Sequence, residues 1–266
     1  MTTRPHLAAP DSAPRAAPRP RTLAVASGKG GVGKTFLAAS LAHALARRGE
    51  RVLLVDGDFG LANIDVQLGL APQRDLADLL AGSAQADQAI LGVERDSSGG
   101  AFDVLPGRSG SGALGGLPIA ELGRLCEMLI TLGGPYDRML LDAAAGIDPS
   151  VTLLCSLADL VLVVLTEDPT SLTDAYALVK VLARAERRPA MGVVVNMATD
   201  ASQGRRIHKA LAQATQRFLG FEPPLLGVLR RDAHVGRAIR AQAPLLARFP
   251  QSPAASDVAA LATRFG

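Results

Sequence analysis

Residues 28–35, Gly-Lys-Gly-Gly-Val-Gly-Lys-Thr, have the types and spacing needed to bind a polyphosphate. They match the pattern G-x-x-x-x-G-K-[ST], in which glycines allow backbone N–H groups to turn inward around phosphate oxygens. Lys34 is expected to reach the β- and γ-phosphates of a nucleotide, and the Thr35 hydroxyl to bind Mg²⁺. The residues predicted to contact ATP in this loop are Gly28, Lys29, Gly30, Gly31, Val32, Gly33, Lys34, Thr35 and Phe36.

The segments on either side of the loop give the motif its specificity. Residues 22–26 are short, apolar and partly β-branched, which predicts a buried strand. Residues 36–48 have helical spacing and strong helix formers. A glycine-rich loop between a strand and a helix start is the context in which this motif binds phosphate, and the helix N-terminus adds the positive end of its dipole.

A carboxylate at the end of another apolar run suits Mg²⁺. The run 138–142 ends in Asp142, and an Asp that closes a strand beside a phosphate-binding loop commonly holds Mg²⁺, usually through water. The alternative is an ordinary turn residue at a strand end. Asp148 precedes Pro149, a pair that predicts a helix N-cap with proline in the first turn rather than a catalytic group.

From residue 21 onward, short apolar runs alternate with segments of helical spacing. Continuous apolarity predicts strands that are covered on both faces. The alternating order predicts one α/β domain over residues 21–266, with a mostly parallel sheet between two layers of helices. Ligands bind at the carboxyl ends of the strands in such sheets. The predicted strands are 22–26, 51–55, 102–105, 138–142, 159–165, 191–196 and 225–229, and the predicted helices are 34–48, 74–81, 118–132, 149–157, 170–187, 202–219, 232–241 and 254–264.

Composition narrows the class of protein. Hydrophobic residues make up 48% of the 266 positions, which is ample for a core, and no apolar run reaches the roughly 20 residues needed to cross a bilayer. Residues 1–20 lack the apolar stretch of a signal peptide, so we expect a cytoplasmic protein. Cys126 and Cys155 form no C-x-x-C pair, so we expect buried apolar residues rather than a zinc site or a disulfide.

The net charge of +3 is spread unevenly. Residues 1–20 are rich in Ala, Pro and Arg and carry three arginines against one aspartate, and such a segment is expected to be a disordered arm. Subtracting its charge of +2 leaves about +1 for the other residues, so the folded part is nearly neutral. This balance argues against nucleic acid as a partner.

A second lysine, Lys29, gives the loop the form K-G-G-x-G-K-T. This form resembles the deviant phosphate loop of the MinD/ParA family of dimeric ATPases. The resemblance implies an ATP-dependent homodimer in which Lys29 crosses the interface and touches the phosphates bound by the other subunit. A cation supplied in this way would also stabilise charge during phosphoryl transfer. Lys29 and Lys34 are therefore both predicted to be catalytic.

Further site residues follow from the same resemblance. In the D-x-D segment after the second strand, Asp58 is implied to position the attacking water and to lie near Mg²⁺, while Asp56 would hold the Mg²⁺ shell or the loop lysine. Asn196, at the end of the strand 191–196, is implied to contact adenine, as is Arg231 in the segment 229–232. Proline is common at the position of Arg230, so that residue departs from the family pattern.

Several phrases are most similar to the flagellar-number regulators of the FlhG/FleN branch. They are ASGKGGVGKT, GLANIDVQLGL, LPGRSG, LDAAAGI and EDPTSLTDAYALVK, of which the last, residues 167–180, is the most diagnostic. Thr170 or Ser171 is the expected helix cap in that phrase. The implied partners are the GTPase FlhF, flagellar switch proteins or a flagellar transcription activator. Residues 1–20 lack the D-Q-A-x-x-L-R-like phrase with which many members stimulate FlhF.

The C-terminal segment departs from the basic amphipathic helix by which many members bind membranes. Val258, Leu261, Ala262 and Phe265 form one apolar helical face, while residues 251–266 carry only one acid and one base. We expect this tail to pack on the domain, with weak membrane binding or none. The alternative functions are a MinD or ParA protein for division or partition, a metal-cluster carrier or nitrogenase-iron-protein-like reductase, and an ATP-binding protein without turnover.

Overall fold

The computed structural model describes residues 21–58, 60, 62–93, 100–107 and 119–265, and it has the predicted α/β architecture. Within these ranges one sheet contains eight strands. The strands are β1 Arg21–Ser27, β2 Val52–Gly57, β3 Leu91–Val93, β4 Phe102–Leu105, β5 Arg138–Ala145, β6 Leu160–Leu165, β7 Ala190–Ala198 and β8 Leu225–Arg230. The predicted arm, residues 1–20, and residues 108–110 of the LPGRSG phrase lie outside the described residues.

Helices cover both faces of this sheet. Their bounds are α1 Lys34–Ala46, α2 Ile64–Leu68, α3 Leu76–Leu80, α4 Ala86–Ala89, α5 Ile119–Gly133, α6 Pro149–Leu157, α7 Pro169–Ala183, α8 Ala201–Leu219, α9 Ala233–Arg240, α10 Leu245–Arg248 and α11 Pro253–Ala262. The prediction missed β3, α2, α4 and α10. These elements have three to five residues each, too few to show a hydrophobic period.

The strand order is β3-β4-β2-β5-β1-β6-β7-β8, and every neighbouring pair is parallel except β3 with β4. β1 is central, between β5 and β6, so the loop that follows it lies in the middle of one sheet edge. The carboxyl ends of the parallel strands all meet at this edge, which is where ligands bind in such sheets.

The core lies on both faces of the sheet. One cluster joins α1 and α11 to the sheet, and the other joins α5, α6, α7 and α8 to the opposite face. Cys126 and Cys155 are both buried, as the sequence predicts. Among the described helices, none is long and apolar enough to span a bilayer.

The C-terminal helix α11 is part of the core. The predicted face of Val258, Leu261, Ala262 and Phe265 is buried throughout and belongs to the same cluster as α1. At the far end, Arg138 donates from Nη2 to the Phe265 carbonyl over 2.7 Å. The sequence-based expectation that the tail packs on the domain is therefore met.

This packing makes a prediction about stability. Leu261→Ala should lower the free energy of unfolding by about 2–5 kcal/mol, because it leaves a cavity in a core position. Arg264→Ala, on the exposed side of the same tail, should change it by no more than about 0.5 kcal/mol. Urea denaturation followed by circular dichroism measures both. Equal midpoints for the two variants would show that the tail is not packed in solution.

Candidate active site

The register of the central strands brings three sequence-distant segments together. Asp56 at the end of β2 lies directly opposite Asp142 in β5, and Asp142 is also aligned with Val25 of β1. Because these strands are parallel neighbours, their ends meet beside the loop that leaves β1. The acidic strand ends predicted from sequence therefore lie at the phosphate-binding loop.

The loop between β1 and α1 depends on glycine at two positions. Gly31 and Gly33 have φ angles of +79° and +87°, which side chains with a Cβ rarely adopt. Two polar groups support the loop from outside. The Ser27 hydroxyl donates to the Lys29 carbonyl over 2.6 Å, and the Asn196 amide donates to the Val32 carbonyl over 2.8 Å.

Lys34 and Thr35 begin α1 directly beside Asp142. The Lys34 side chain is buried, and the Thr35 hydroxyl is close enough to the Asp142 carboxylate to lower its pKa. Asp142 is 1% exposed, and its Oδ1 has no hydrogen-bond partner within the part of the chain described. Burial raises the pKa of Asp142 to about 8, with a further contribution from Asp56, while Thr35 and Lys34 oppose the rise.

Asp56 holds the loop that follows β2. Its carboxylate accepts backbone N–H bonds from Asp58, Asn63 and Ile64 at 3.0–3.1 Å. The last two stand at the start of α2, so Asp56 caps that short helix from a distance. Burial raises its pKa to about 6 against the effect of these bonds. Asp56 thus holds this backbone in place, and the role toward Mg²⁺ or Lys34 that the resemblance implies stays a prediction.

Asp58 lies in the loop that Asp56 holds. Its Oδ1 accepts the N–H of Gly60 over 3.3 Å, and its side chain is half-buried. The negative charge of Asp58 contributes to the raised pKa of Asp142, so the two carboxylates are close enough to interact electrostatically. The structure thus brings Asp58 to the same edge as Lys34 and Thr35, and its catalytic role stays a prediction.

The donor set at Thr35 and Asp142 fits Mg²⁺. A hydroxyl and a carboxylate oxygen are hard ligands of the kind Mg²⁺ takes, together with water and substrate phosphates. The buried Asp142 Oδ1 is an acceptor that gains a partner if a cation or its bound water is present. Mg²⁺ bound here would supply positive charge to the oxygens of a nucleotide polyphosphate.

Lys29 is held by the start of α7. Its ammonium group bonds to the Asp168 carboxylate and to the Thr170 hydroxyl. Asp168 is also the N-cap of α7 and accepts the Thr170 N–H over 2.9 Å. The Lys29 hydrogen bond and those of Thr170 lower the pKa of Asp168 to about 2.

The predicted cap, Thr170 or Ser171, is therefore wrong. Asp168 is the cap, and the following Pro169 was the available signal, because Asp-Pro marks a helix start in the same way at Asp148. Ser171 instead accepts the N–H of Thr166 over 3.1 Å.

Gly28 brings α7 against the loop. A Cβ at this glycine would overlap the backbone of Asp174 in α7. The phrase 167–180, which carries the resemblance to flagellar regulators, is thus packed on the phosphate-binding loop through Gly28 and Lys29. Sequence reasoning identified both segments but not their contact, because nothing in the sequence pairs them.

A cavity of about 210 Å³ lies beside the phosphate-binding loop, with Gly33 of the loop in its lining. The base of a nucleotide whose phosphates were bound by the loop could occupy this cavity. Asn196 is buried at its wall, and Met197 N–H donates to the Asn196 side-chain oxygen over 2.9 Å. Arg231 is exposed and reaches Glu167 over 3.3 Å. The structure therefore brings both predicted base-contacting residues to one cavity. Its lining residues are Gly33, Phe36, Asn196, Met197, Arg230, Arg231, Asp232, Val235, Gly236 and Ile239.

Comparison with known proteins agrees with this geometry. Residues 23–245 match the family model described as the CobQ/CobB/MinD/ParA nucleotide binding domain. The chain belongs to this family. The MinD/ParA resemblance read from the loop is thereby confirmed, and the family's nucleotide-binding ATPase fold is the fold described above.

Individual relatives of this CobQ/CobB/MinD/ParA protein include two flagellar proteins. Antiactivator FleN of Pseudomonas aeruginosa is 38% identical over 92% of this chain and 85% of its own. Flagellum site-determining protein YlxH of Helicobacter pylori is 30% identical over 82% of this chain and 72% of its own. The septum site-determining protein MinD of Pyrococcus horikoshii, solved in complex with Mg-ADP, has a TM-score of 0.75 and 27% identity over 92% of this chain and 95% of its own.

The buried carboxylate predicts how pH affects the protein without metal or nucleotide. A raised pKa means that the folded state binds the proton of Asp142 more tightly than the unfolded state does, so stability falls as pH rises. The loss should extend from the ordinary pKa of 3.8 to about 8. Each tenfold difference in proton affinity is worth about 1.4 kcal/mol.

The test compares the wild type with Asp142→Asn by denaturant unfolding from pH 5 to pH 8 in the presence of a chelator. The wild type should lose more stability than the variant over this range, and adding Mg²⁺ at pH 8 should restore stability to the wild type alone. Parallel pH curves for the two proteins would contradict the prediction.

Proposed function

We propose that this protein is a Mg²⁺-dependent ATPase that dimerises with ATP and controls flagellar number or placement through partner proteins. The observation that carries the proposal is the separation of the two loop lysines. Lys34 is buried beside Asp142, whereas the Lys29 side chain is 36% exposed on the outside of the loop. One lysine can therefore serve the phosphates of its own subunit while the other remains accessible to a second subunit.

In this mechanism the protein mainly positions groups. Lys34 and the N–H groups of the loop bind the β- and γ-phosphates, and Thr35 and Asp142 hold Mg²⁺. Asp58 orients the attacking water, which needs positioning more than proton abstraction in a loose transition state. Asn196 and Arg231 bind the adenine in the 210 Å³ cavity.

Dimerisation would require Lys29 to leave its bonds with Asp168 and Thr170. A γ-phosphate on a facing subunit offers the ammonium group a stronger partner than an exposed carboxylate does, since that phosphate carries more charge. Release of Lys29 would also free the start of α7. The proposal thus links ATP-bound dimerisation to α7, the helix that contains most of the phrase 167–180.

The flagellar role rests on similarity. FleN is named an antiactivator and YlxH a flagellum site-determining protein, so a flagellar transcription activator, a switch-complex protein or FlhF is the proposed partner. The alternative is a division-site or partition ATPase. The likeness to P. horikoshii MinD, at 27% identity, supports this second candidate. FleN is more similar in sequence, at 38% identity over 92% of this chain, so the flagellar role is the one proposed.

The dimer makes a prediction about mass. With ATP and Mg²⁺, Asp58→Ala should accumulate as a dimer because hydrolysis is slowed, whereas Lys34→Ala should stay monomeric. With ADP, both should be monomeric. Multi-angle light scattering measures the change, and Lys209→Ala, an exposed lysine of α8, is the matched control and should behave as wild type. An Asp58→Ala protein of constant mass in all nucleotides would rule out the ATP-dependent dimer.

The cellular role makes a separate prediction. Deleting the gene should change the number or position of flagella, which electron microscopy can count. Reintroducing the wild-type gene should restore them, and reintroducing Lys34→Ala should not. Normal flagella together with mini-cells or plasmid loss would move the protein to the division or partition role.

A further inference from the structure

The cavity of about 210 Å³, which we propose binds adenine and call the base cavity, is closed on one side by residues 230–232 at the end of β8. Arg230, Arg231 and Asp232 all line that cavity. Within the described part of the chain, β8 is the last strand at one edge of the sheet, so only one side of it is paired with another strand. On the inner side, the Arg231 N–H donates to the Ala198 carbonyl over 2.7 Å. On the outer, unpaired side of β8, residues 230–232 are held by a different element.

That support comes from α11 through an ion pair. Asp257 accepts the backbone N–H of Arg230 over 2.9 Å. The same carboxylate receives the Arg230 guanidinium through Nε at 2.9 Å and Nη2 at 2.8 Å. Two parallel charge-assisted bonds fix both direction and distance. The Asp257 side chain is 16% exposed and the Arg230 side chain is 41% exposed, so the carboxylate is sheltered while the guanidinium stays in contact with solvent.

A second bond joins α11 to the other end of the same segment. Asp232 accepts the N–H of Ala254, in the first turn of α11, over 3.0 Å. Its other oxygen accepts the His234 N–H over 2.8 Å and so caps α9. Residues 230 and 232 are thus both fastened to α11, on either side of Arg231.

α11 is itself firmly seated. It packs on α1, the helix that begins at the phosphate-binding loop, and on β8. Leu261 lies over Gly227 of β8. A Cβ placed on Gly227 would come within 3.2 Å of the Leu261 side chain. The C-terminal helix therefore touches the element behind the phosphate half of the nucleotide site and the strand that leads to the base half.

We propose that α11 is a brace for the base-binding segment and that Asp257 is its positioning residue. This inference rests on the proposed ATP binding and adds a role for the C-terminal helix in it. Asp257 acts through Arg230 and touches no nucleotide. Without the pair, the edge of the cavity loses its fixed geometry, while the phosphate-binding loop keeps its own supports.

The test separates base binding from phosphate binding. Asp257→Asn removes the charge and weakens the paired bonds with little change in volume. Its dissociation constant for ATP should rise about tenfold, a loss of about 1.4 kcal/mol. Its affinity for inorganic tripolyphosphate, which has no base, should equal that of the wild type. The KM for ATP should rise with kcat unchanged. Isothermal titration calorimetry and steady-state kinetics measure these values.

Two further variants keep the result interpretable. Asp87→Asn, an exposed carboxylate of α4, is the matched control and should bind both ligands as wild type does. Arg230→Lys keeps the charge but loses the paired geometry, so it should give a smaller loss of ATP affinity, again with tripolyphosphate binding unchanged. It also tests the brace if Asp257→Asn fails to fold.

The possible outcomes distinguish this inference from the proposed function. Equal losses for ATP and tripolyphosphate, or no loss for either, would overturn the brace while leaving ATP binding in place. A wild-type protein that binds neither ligand would overturn both. A loss confined to ATP in Asp257→Asn and Arg230→Lys would support the brace.

Discussion

The buried carboxylate of Asp142 is the constraint on which the rest of the site depends. An ionised carboxylate is costly to bury unless cations or hydrogen bonds compensate it. Here the compensation from Lys34 and Thr35 is partial, and one oxygen lacks a partner within the described residues. The site therefore favours a ligand that brings positive charge. A nucleotide with its Mg²⁺ would supply that charge together with phosphates for the loop, as the proposed function requires.

The two loop lysines lie on different sides of the phosphate-binding loop, one buried and one partly exposed. Lys34 lies at the buried start of α1, and Lys29 reaches outward to the start of α7. Gly28 allows α7 to touch the loop itself. A change at the phosphates can therefore reach α7 by direct contact, with no long chain of intermediates. This short path suits a switch protein, whose partners must sense the nucleotide from the surface.

The C-terminal helix α11 packs in the core, in contrast to the basic amphipathic helix expected of a membrane-binding tail. Its apolar face packs against α1 and β8, and its one acidic residue, Asp257, is paired with Arg230. To lie on a membrane, α11 would first have to lose these core contacts and this ion pair. The departure of Arg230 from the family's proline pattern thus has a local explanation, since the arginine is the partner of this helix.

The sequence alone determined the fold class, the phosphate-binding loop and the acidic strand ends. These features are local, because a motif of eight residues or an apolar run of five carries its own signal. Tertiary structure decided which distant groups meet: Asp56 beside Asp142 through strand register, Lys29 with Asp168, and Arg230 with Asp257. Such pairs depend on how elements separated by many residues pack. No periodicity within one segment encodes that packing, so only the folded chain reveals them.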